Sequence, residues 1–424
     1  MRTYFQIATD LFGPMVLAIL ALAQLFCIFS SHSSAQTSGS SKFEFELMHL
    51  WLTPLEAPAL MVIRDRVLKA GLEWNEHRVK GNFYGVTNAL AERVALGLPP
   101  TSVFWIGSIK PNSITESTLF RTIPDQATSS NFSQILRPDI EALVHTNEGY
   151  TSLPLVIHLQ NIALANLDAF AKIGETPPTT WHDFIEMAPR LQAANITPIS
   201  VSDQRWLLRF LFLSVFAEGL SKSQFEAMLT GRIEKRQFIE HAKRAMKTFR
   251  ALKKFANHNS REISWSDAVH QVRRGKAALT ITGDFAAPGL RDQKQVMCML
   301  APGNQFVMWS FDVLAFPSPD TKEHAQAQLI GFQALSNEDT LRDFGIKKGG
   351  IPVIHNVDPM MLDHCSRQSL KNWQERERMP LTYDHWRIQL NSIASLAQYV
   401  WQDDSLHVEN VAAQLYQELA ILFP

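Results

Sequence analysis

Between Ile263 and Pro288 the apolar positions change period, and the change predicts a helix followed by a strand. Ala268, Val269 and Val272 fall on one face of a 3.6-residue repeat, while Asp267, Gln271 and Arg273 fall on the other. Gly275 is the expected helix stop, and Arg273 and Arg274 suit the negative end of the helix dipole. Ala277–Thr282, AALTIT, then reads as an apolar, β-branched strand ending in Gly283, Asp284 and Phe285. In open α/β sheets ligands bind beyond the strand carboxyl ends. This ending therefore predicts a polar and aromatic binding rim.

The same reading extends along the chain. Phe43 to Trp51 sets Phe43, Phe45 and Leu47 against Glu44 and Glu46, the alternation of a first strand. Thr53, Pro54 and Glu56 predict a helix start, with threonine as N-cap, proline at the first helical position and glutamate closing a capping box. Ala57, Leu60, Ile63 and Val67 continue that helix to Gly71. A strand at Trp74–Lys80 and a helix at Val86–Ala95 follow. Ile162–Ile173 reads as a helix, and Thr180 with Asp183 three residues on opens another helix. Phe210–Ala256 carries apolar stripes at helical spacing, the signature of core packing. Val296–Gly303 and Val307–Phe316 read as strands, and Val408–Leu422 as a closing amphipathic helix. Strands and helices alternate without internal repeats, which predicts an α/β fold.

A chain of 424 residues exceeds one ordinary core and predicts two domains, or two lobes sharing a hinge. With 46% hydrophobic and 19% charged residues the composition is globular, and a net charge of −1 gives no electrostatic case for nucleic acid or an anionic membrane surface. Residues 1–35 read as a cleavable signal peptide: Arg2, an apolar run Met15–Phe29, and small residues Ser33, Ser34 and Ala35 before the cut. The run falls short of the roughly 20 residues a membrane span needs. If retained, it would tether the protein. Cys298 and Cys365 could pair in an oxidising compartment. The apolar run around Cys298 favours instead two small buried side chains or a free thiol. Cysteine and histidine spacings give no metal motif, and the chain has no nucleophile elbow, phosphate loop or HExxH helix. No catalytic residue, metal or cofactor is expected.

Trp265, the helix ending Gly275-Lys276-Ala277-Ala278, the apolar strand and Gly283-Asp284-Phe285-Ala286 together resemble the family 1 extracellular solute-binding proteins of ABC sugar importers, and among them the glucose/mannose-binding branch. His49 to Glu56 is similar to that family's opening: His49, Trp51 and Glu56 match, and Leu50 stands where a first tryptophan is usual. Leu98–Trp105 resembles the Gly-Asn-Pro-Pro-Asp segment, with Leu98 and Thr101 for asparagine and aspartate. Ser152–Asn161 resembles the hinge-crossing strand, where Pro154, His158 and Asn161 match while Val156 and Leu159 replace asparagine and arginine. Pro177–Phe184 and Ala193–Ile199 are similar to the second-lobe signature, and Ser202–Trp206 aligns with two glycines, Gln, Pro and Trp. Asp312 falls at the family's returning strand. Phe344–Val353 resembles its Lys-Gly-Ser-Ile-Pro turn, with Gly350 for serine and Ile354 for arginine. His385 lies about where the family has a ligand-contacting histidine.

The resemblance covers residues 43 to 422 and implies a two-lobed periplasmic binding protein of type II-like fold, each lobe a sheet flanked by helices. Lobe one is expected over 42–152 and 285–343, and lobe two over 153–284 and 344–424. It implies hinge closure on a small polar solute, foremost a sugar, and delivery to an ABC permease. Pyranose binding needs aromatic faces and planar polar groups. Trp51, Trp206, Trp265 and Phe285 are the expected rings, and Glu56, His158, Asp203, Asp284, Asp312 and His385 the expected polar contacts. Trp51→Ala and Asp284→Ala are each expected to weaken binding with little change in the melting temperature of the free protein. The replacements at Leu50, Leu98, Thr101, Val156, Leu159, Gly350 and Ile354 strip the cleft of polar and aromatic groups, and a sugar hydroxyl left unpaired is costly. A second function class is therefore open: a sensor or adaptor docking on a membrane signalling protein such as a histidine kinase or a diguanylate cyclase. Fold alone does not choose between them.

Overall fold

The computed structural model describes residues 43–81, 83–109 and 119–421, apart from the side chains of 383–385, 387, 388 and 421. The expected signal peptide and the side chain of His385 lie outside the described residues. No helix among the described residues is long and apolar enough to cross a membrane.

Strands β1 (Glu44–His49), β2 (Glu73–Arg78) and β3 (Ser102–Ile106) run parallel, separated by helices Ala57–Lys69 and Phe83–Ala95. A small hairpin, β4 (His145–Thr146) and β5 (Gly149–Tyr150), precedes β6 (Leu153–Leu159). Then come β7 (Ile162–Asn166), β8 (Thr197–Ile199), β9 (Ala277–Thr282), β10 (Val296–Leu300), β11 (Val307–Ala315), β12 (Ile351–Pro352) and β13 (Arg378–Pro380). They form two principal sheets. The larger has the order β12-β6-β11-β3-β1-β2 with β13 paired to β11, and the smaller has the order β10-β7-β9-β8. Two hydrophobic cores flank them: the larger sheet supplies most of the strand residues of the first, and the smaller sheet contributes to both, with Ile162, Leu164 and Val296 in the first and Ala163, Ala165 and Leu279 in the second. The architecture is α/β, sheets flanked by helices, as the pattern predicts.

The chain passes from the larger sheet to the smaller between β6 and β7, through Gln160 and Asn161 alone, and returns between β10 and β11. Asn161 stitches these two crossings together. Its Nδ2 donates to Asn304 Oδ1 at 2.9 Å and to the Phe306 carbonyl at 3.0 Å, and its Oδ1 accepts from Met308 N at 2.9 Å. Both donor hydrogens and the oxygen of this buried amide are thereby engaged.

Sheet membership differs from the expected lobe limits at two places. Leu153–Leu159 pairs with β11 and β12 inside the larger sheet, and the segment from Ile351 to Trp373 packs into the first core. Both had been expected in lobe two. The reason lies in the burial pattern: β6 is buried along its whole length, and a strand that is apolar but for His158 carries no sign of which sheet will take it.

Two local expectations are also corrected. The segment expected as a helix from Ile162 to Ile173 is strand β7 followed by a short helix, Leu167–Ala171. A continuous apolar run does not distinguish a buried strand from a buried helix, and Asn166, whose Oδ1 accepts from Ala169 N at 2.9 Å, sets the true helix start. The helix expected from Thr53 begins at Ala57, and only half of the expected box forms: Glu56 Oε2 accepts from Thr53 N at 3.1 Å and from Thr53 Oγ1 at 2.8 Å, while Glu56 N donates to the Thr53 backbone carbonyl. The caps at Thr180 and the stop at Gly275, with φ of 67°, stand as predicted.

Cys298 and Cys365 form a disulfide, with Cα atoms 5.3 Å apart. This corrects the expectation of a free thiol. Cys298 is on β10, and Cys365 lies in the first turn of helix His364–Glu375, which returns over that strand from 67 residues further on.

Candidate binding site at the junction of the two sheets

The end of β9 delivers the first site residue. After Thr282 the chain turns through Gly283 into a short 3₁₀ helix, Asp284–Leu290, and Asp284 is only 2% exposed. Its Oδ1 lies 2.9 Å from His158 Nδ1, and its Oδ2 accepts from Leu159 N at 3.1 Å. His158 belongs to β6, so a carboxylate from the smaller sheet is bonded to the larger one where the chain crosses. On the other side of the ring, His158 Nε2 lies 3.4 Å from Asp312 Oδ2. Asp312 sits on β11 at a register shift between Asp312 and Val313, an irregularity of the kind that re-aims a side chain.

Phe285 joins this polar group to an aromatic one. Its ring meets His158 edge-on at 5.6 Å, Trp265 edge-on at 5.1 Å and Trp206 at 5.9 Å. Trp265 is the first residue of helix Trp265–Arg273, held by a Ser264/Asp267 capping box, and Trp206 lies in the first turn of helix Arg205–Phe216. Beneath Trp265 a cavity of about 10 Å³ is lined by the hydroxyls of Ser200, Ser202, Thr280 and Thr282, room for one water.

Lys348, which sequence reasoning passed over, completes the group. Its ammonium stands 5.5 Å from the centre of the Phe285 ring and 3.7 Å from Glu56 Oε1, with both side chains nearly buried. The signal was the double glycine after it. A Cβ on Gly350 would lie 2.6 Å from the Ile157 carbonyl oxygen and 2.8 Å from His158 Nδ1, at a φ of +119°. Only a glycine turn fits so close to β6. Gly350→Ser, which installs the residue the resemblance leads one to expect, should therefore destabilise the protein by about 1–3 kcal/mol. An unchanged melting temperature would mean the turn relaxes freely.

Of the ten expected residues, His158, Asp284, Asp312, Phe285, Trp206 and Trp265 come together, and Glu56 joins them through Lys348. Trp51 does not present a ring to a cleft. It is 4% exposed and packs edge-on against Phe104 at 5.1 Å and against Phe344 at 5.5 Å. The strand stops at His49, and the next turn folds the indole inward. Asp203 stands apart, its Oδ2 3.5 Å from the exposed Arg261 Nε, with no contact to the His158 group among the described residues.

Burial disfavours charge on His158, but Asp312, through its charge, and Asp284, through its hydrogen bond, outweigh both that cost and the opposing charge of Lys348, so the pKa is raised. A raised native pKa stabilises the fold fully below the unfolded value of about 6.5 and ceases to do so as pH rises through the native value. His49 has the opposite sign. Burial pushes it down to about 4, against the pull of Glu76, so its contribution is present above 6.5 and lost as pH falls toward 4. Its neutral Nδ1 accepts from Trp51 N at 3.2 Å. The difference in melting temperature between wild type and His158→Gln should narrow as pH is raised above about 6.5. A difference independent of pH would mean that His158 is neutral in the native state.

The whole chain was compared with known proteins. It is 26% identical over 358 residues to a probable sugar-binding periplasmic protein of Rhizobium meliloti, covering 80% of this chain and 83% of that protein. It is 24% identical over 373 residues to a protein of the same description from Brucella melitensis, covering 85% and 86%. Its fold is similar to that of a chitin oligosaccharide binding protein, with a TM-score of 0.72 at 14% identity over 88% of this chain and 98% of that one. A family model described as bacterial extracellular solute-binding protein matches residues 66–296, more than half of the chain. With the two-sheet architecture and the crossings at Asn161, this match makes the chain a member of the bacterial extracellular solute-binding protein family.

Proposed function

We propose that the protein is a periplasmic receptor for a sugar, which it holds at the junction of the two sheets by hinge closure and hands to an ABC importer. The observation that carries this reading is the meeting of the two groups at Phe285. Rings suited to the apolar face of a pyranose lie beside carboxylates, an imidazole and an ammonium suited to its hydroxyls. The description of the relatives as sugar-binding periplasmic proteins supports the ligand class and the compartment. On this reading the lobes are the two sheets with their helices, and they close about the Asn161 crossings. We place the chain beside the glucose/mannose-binding branch, with a modified cleft: Trp51 is withdrawn into the core, and Phe285 and the two remaining tryptophans supply the aromatic surface.

The test is thermal shift of the chain starting at Gln36 against mono- and oligosaccharides, polyols and sugar acids. A sugar at about 100 times its dissociation constant should add roughly 2.7 kcal/mol of stability. A flat panel from well-folded protein would rule the reading out.

A further inference from the structure

The disulfide has a place in this site that its position in the sequence does not suggest. Cys298 lies on β10, an edge strand of the smaller sheet. Cys365 lies in a helix whose chain leaves β12 and re-enters β13, both strands of the larger sheet. The bond therefore links the two sheets covalently, apart from the chain crossings. A second contact lies beside it: His364 Nε2 donates to the Val296 carbonyl at 3.0 Å. The first turn of helix His364–Glu375 is thus fixed to β10 twice over.

The other side of that turn reaches the candidate site. Asp363 caps the helix, its Oδ1 accepting from Cys365 N at 2.9 Å and from Ser366 N at 3.0 Å. Asp363 Oδ2 also accepts from Ser366 Oγ at 2.8 Å, which fixes that hydroxyl. Gly350 N in turn donates to Ser366 Oγ at 3.4 Å, two residues from Lys348 and against His158. The same helix packs on the 3₁₀ segment Asp284–Leu290, which carries Asp284 and Phe285. This one helix therefore contacts both flanks of the site, the glycine turn behind Lys348 and the segment that begins at Asp284.

We propose that the Cys298–Cys365 bond is a positioning element of the binding site: it holds the Lys348–Gly350 turn and the Asp284–Leu290 segment in register across the two sheets. Its meaning for function rests on the sugar-receptor reading, since a site so held is organised before ligand arrives and loses affinity when the bond is absent. The bond touches no ligand itself.

The experiment is hydrogen exchange on the mature, ligand-free chain, comparing wild type with Cys298→Ala/Cys365→Ala. Wild type reduced by dithiothreitol is the second sample. There the two reagent thiols become a disulfide, and two electrons and two protons pass to Cys298 and Cys365, leaving two thiols. Amides of residues 284–287, 289 and 290, together with those of Leu159 and Gly350, should exchange about ten-fold faster or more in both samples, while those of β1 and β3 keep their wild-type rates. Uniform acceleration, no acceleration, or global unfolding of both samples would each overturn the proposal, because the bond would then brace the whole molecule or nothing. The readout needs no sugar. A flat sugar panel with localised exchange removes the receptor reading alone, and a positive panel with uniform exchange removes this proposal alone.

Discussion

Trp51→Ala lowers the stability of the unliganded protein by about 3–5 kcal/mol, the usual cost of emptying a buried tryptophan site. The indole is enclosed by His49, Phe104 and Phe344, drawn from β1, β3 and helix Glu338–Lys348, so its loss opens a cavity where three elements meet. Denaturant unfolding followed by circular dichroism measures it. The midpoint should fall with little change in slope. A midpoint within error of wild type, with weakened sugar binding, would return Trp51 to the cleft wall where the sequence suggested it.

Asp284→Ala is the second large effect, also about 3–5 kcal/mol, because it breaks a buried pair and leaves the His158 ring with Asp312 alone as a carboxylate partner. Two groups lose their acceptor at once: the His158 ring at 2.9 Å and the Leu159 backbone N–H at 3.1 Å. Both are buried, and an unsatisfied buried donor bears its full desolvation penalty. Asp284→Asn separates the two roles, since the amide oxygen still accepts from Leu159 N while the negative charge is gone. It should cost less than alanine and lower the His158 titration seen by nuclear magnetic resonance. Equal losses for both variants would mean that the charge carries the whole effect and that the hydrogen bond to Leu159 N adds nothing.

These expectations reverse part of what the sequence alone implied, and the reason is physical. The helix Trp265–Arg273 and strand β9 were legible because their apolar positions change period within a few residues, and a cap and a glycine mark the ends. His158, Asp284 and Asp312 were found through the resemblance, but their mutual contacts were not legible. They depend on β6 pairing antiparallel with β11 in one register, Ser310 opposite His158, and on a chain crossing of two residues. Trp51 was hard to place because an aromatic just past a strand end points equally well into a cleft or a core, and its ring neighbour Phe344 lies nearly 300 positions away. Lys348 was passed over because a lysine beside another lysine and two glycines looks like solvent-facing chain. The helix in fact runs to Lys348, and the glycine turn wedges against β6, so the side chain is buried against Glu56 and Phe285. The disulfide was illegible for the same reason: nothing local brings Cys365 back over β10.

The loss of polar residues that set the sensor reading beside the transport reading has a partial structural counterpart. Val156 is buried on β6, Ile354 is buried and bridged to Leu136, and Leu98 is exposed. The relatives' descriptions fall on the sugar-binding side.

The proposed sugar site at Phe285 is tested by running the sugar panel in parallel on wild type and Phe285→Ala. A sugar that raises the wild-type melting temperature should leave that of the folded variant unmoved. The same rise in both proteins would contradict it and place the ligand elsewhere.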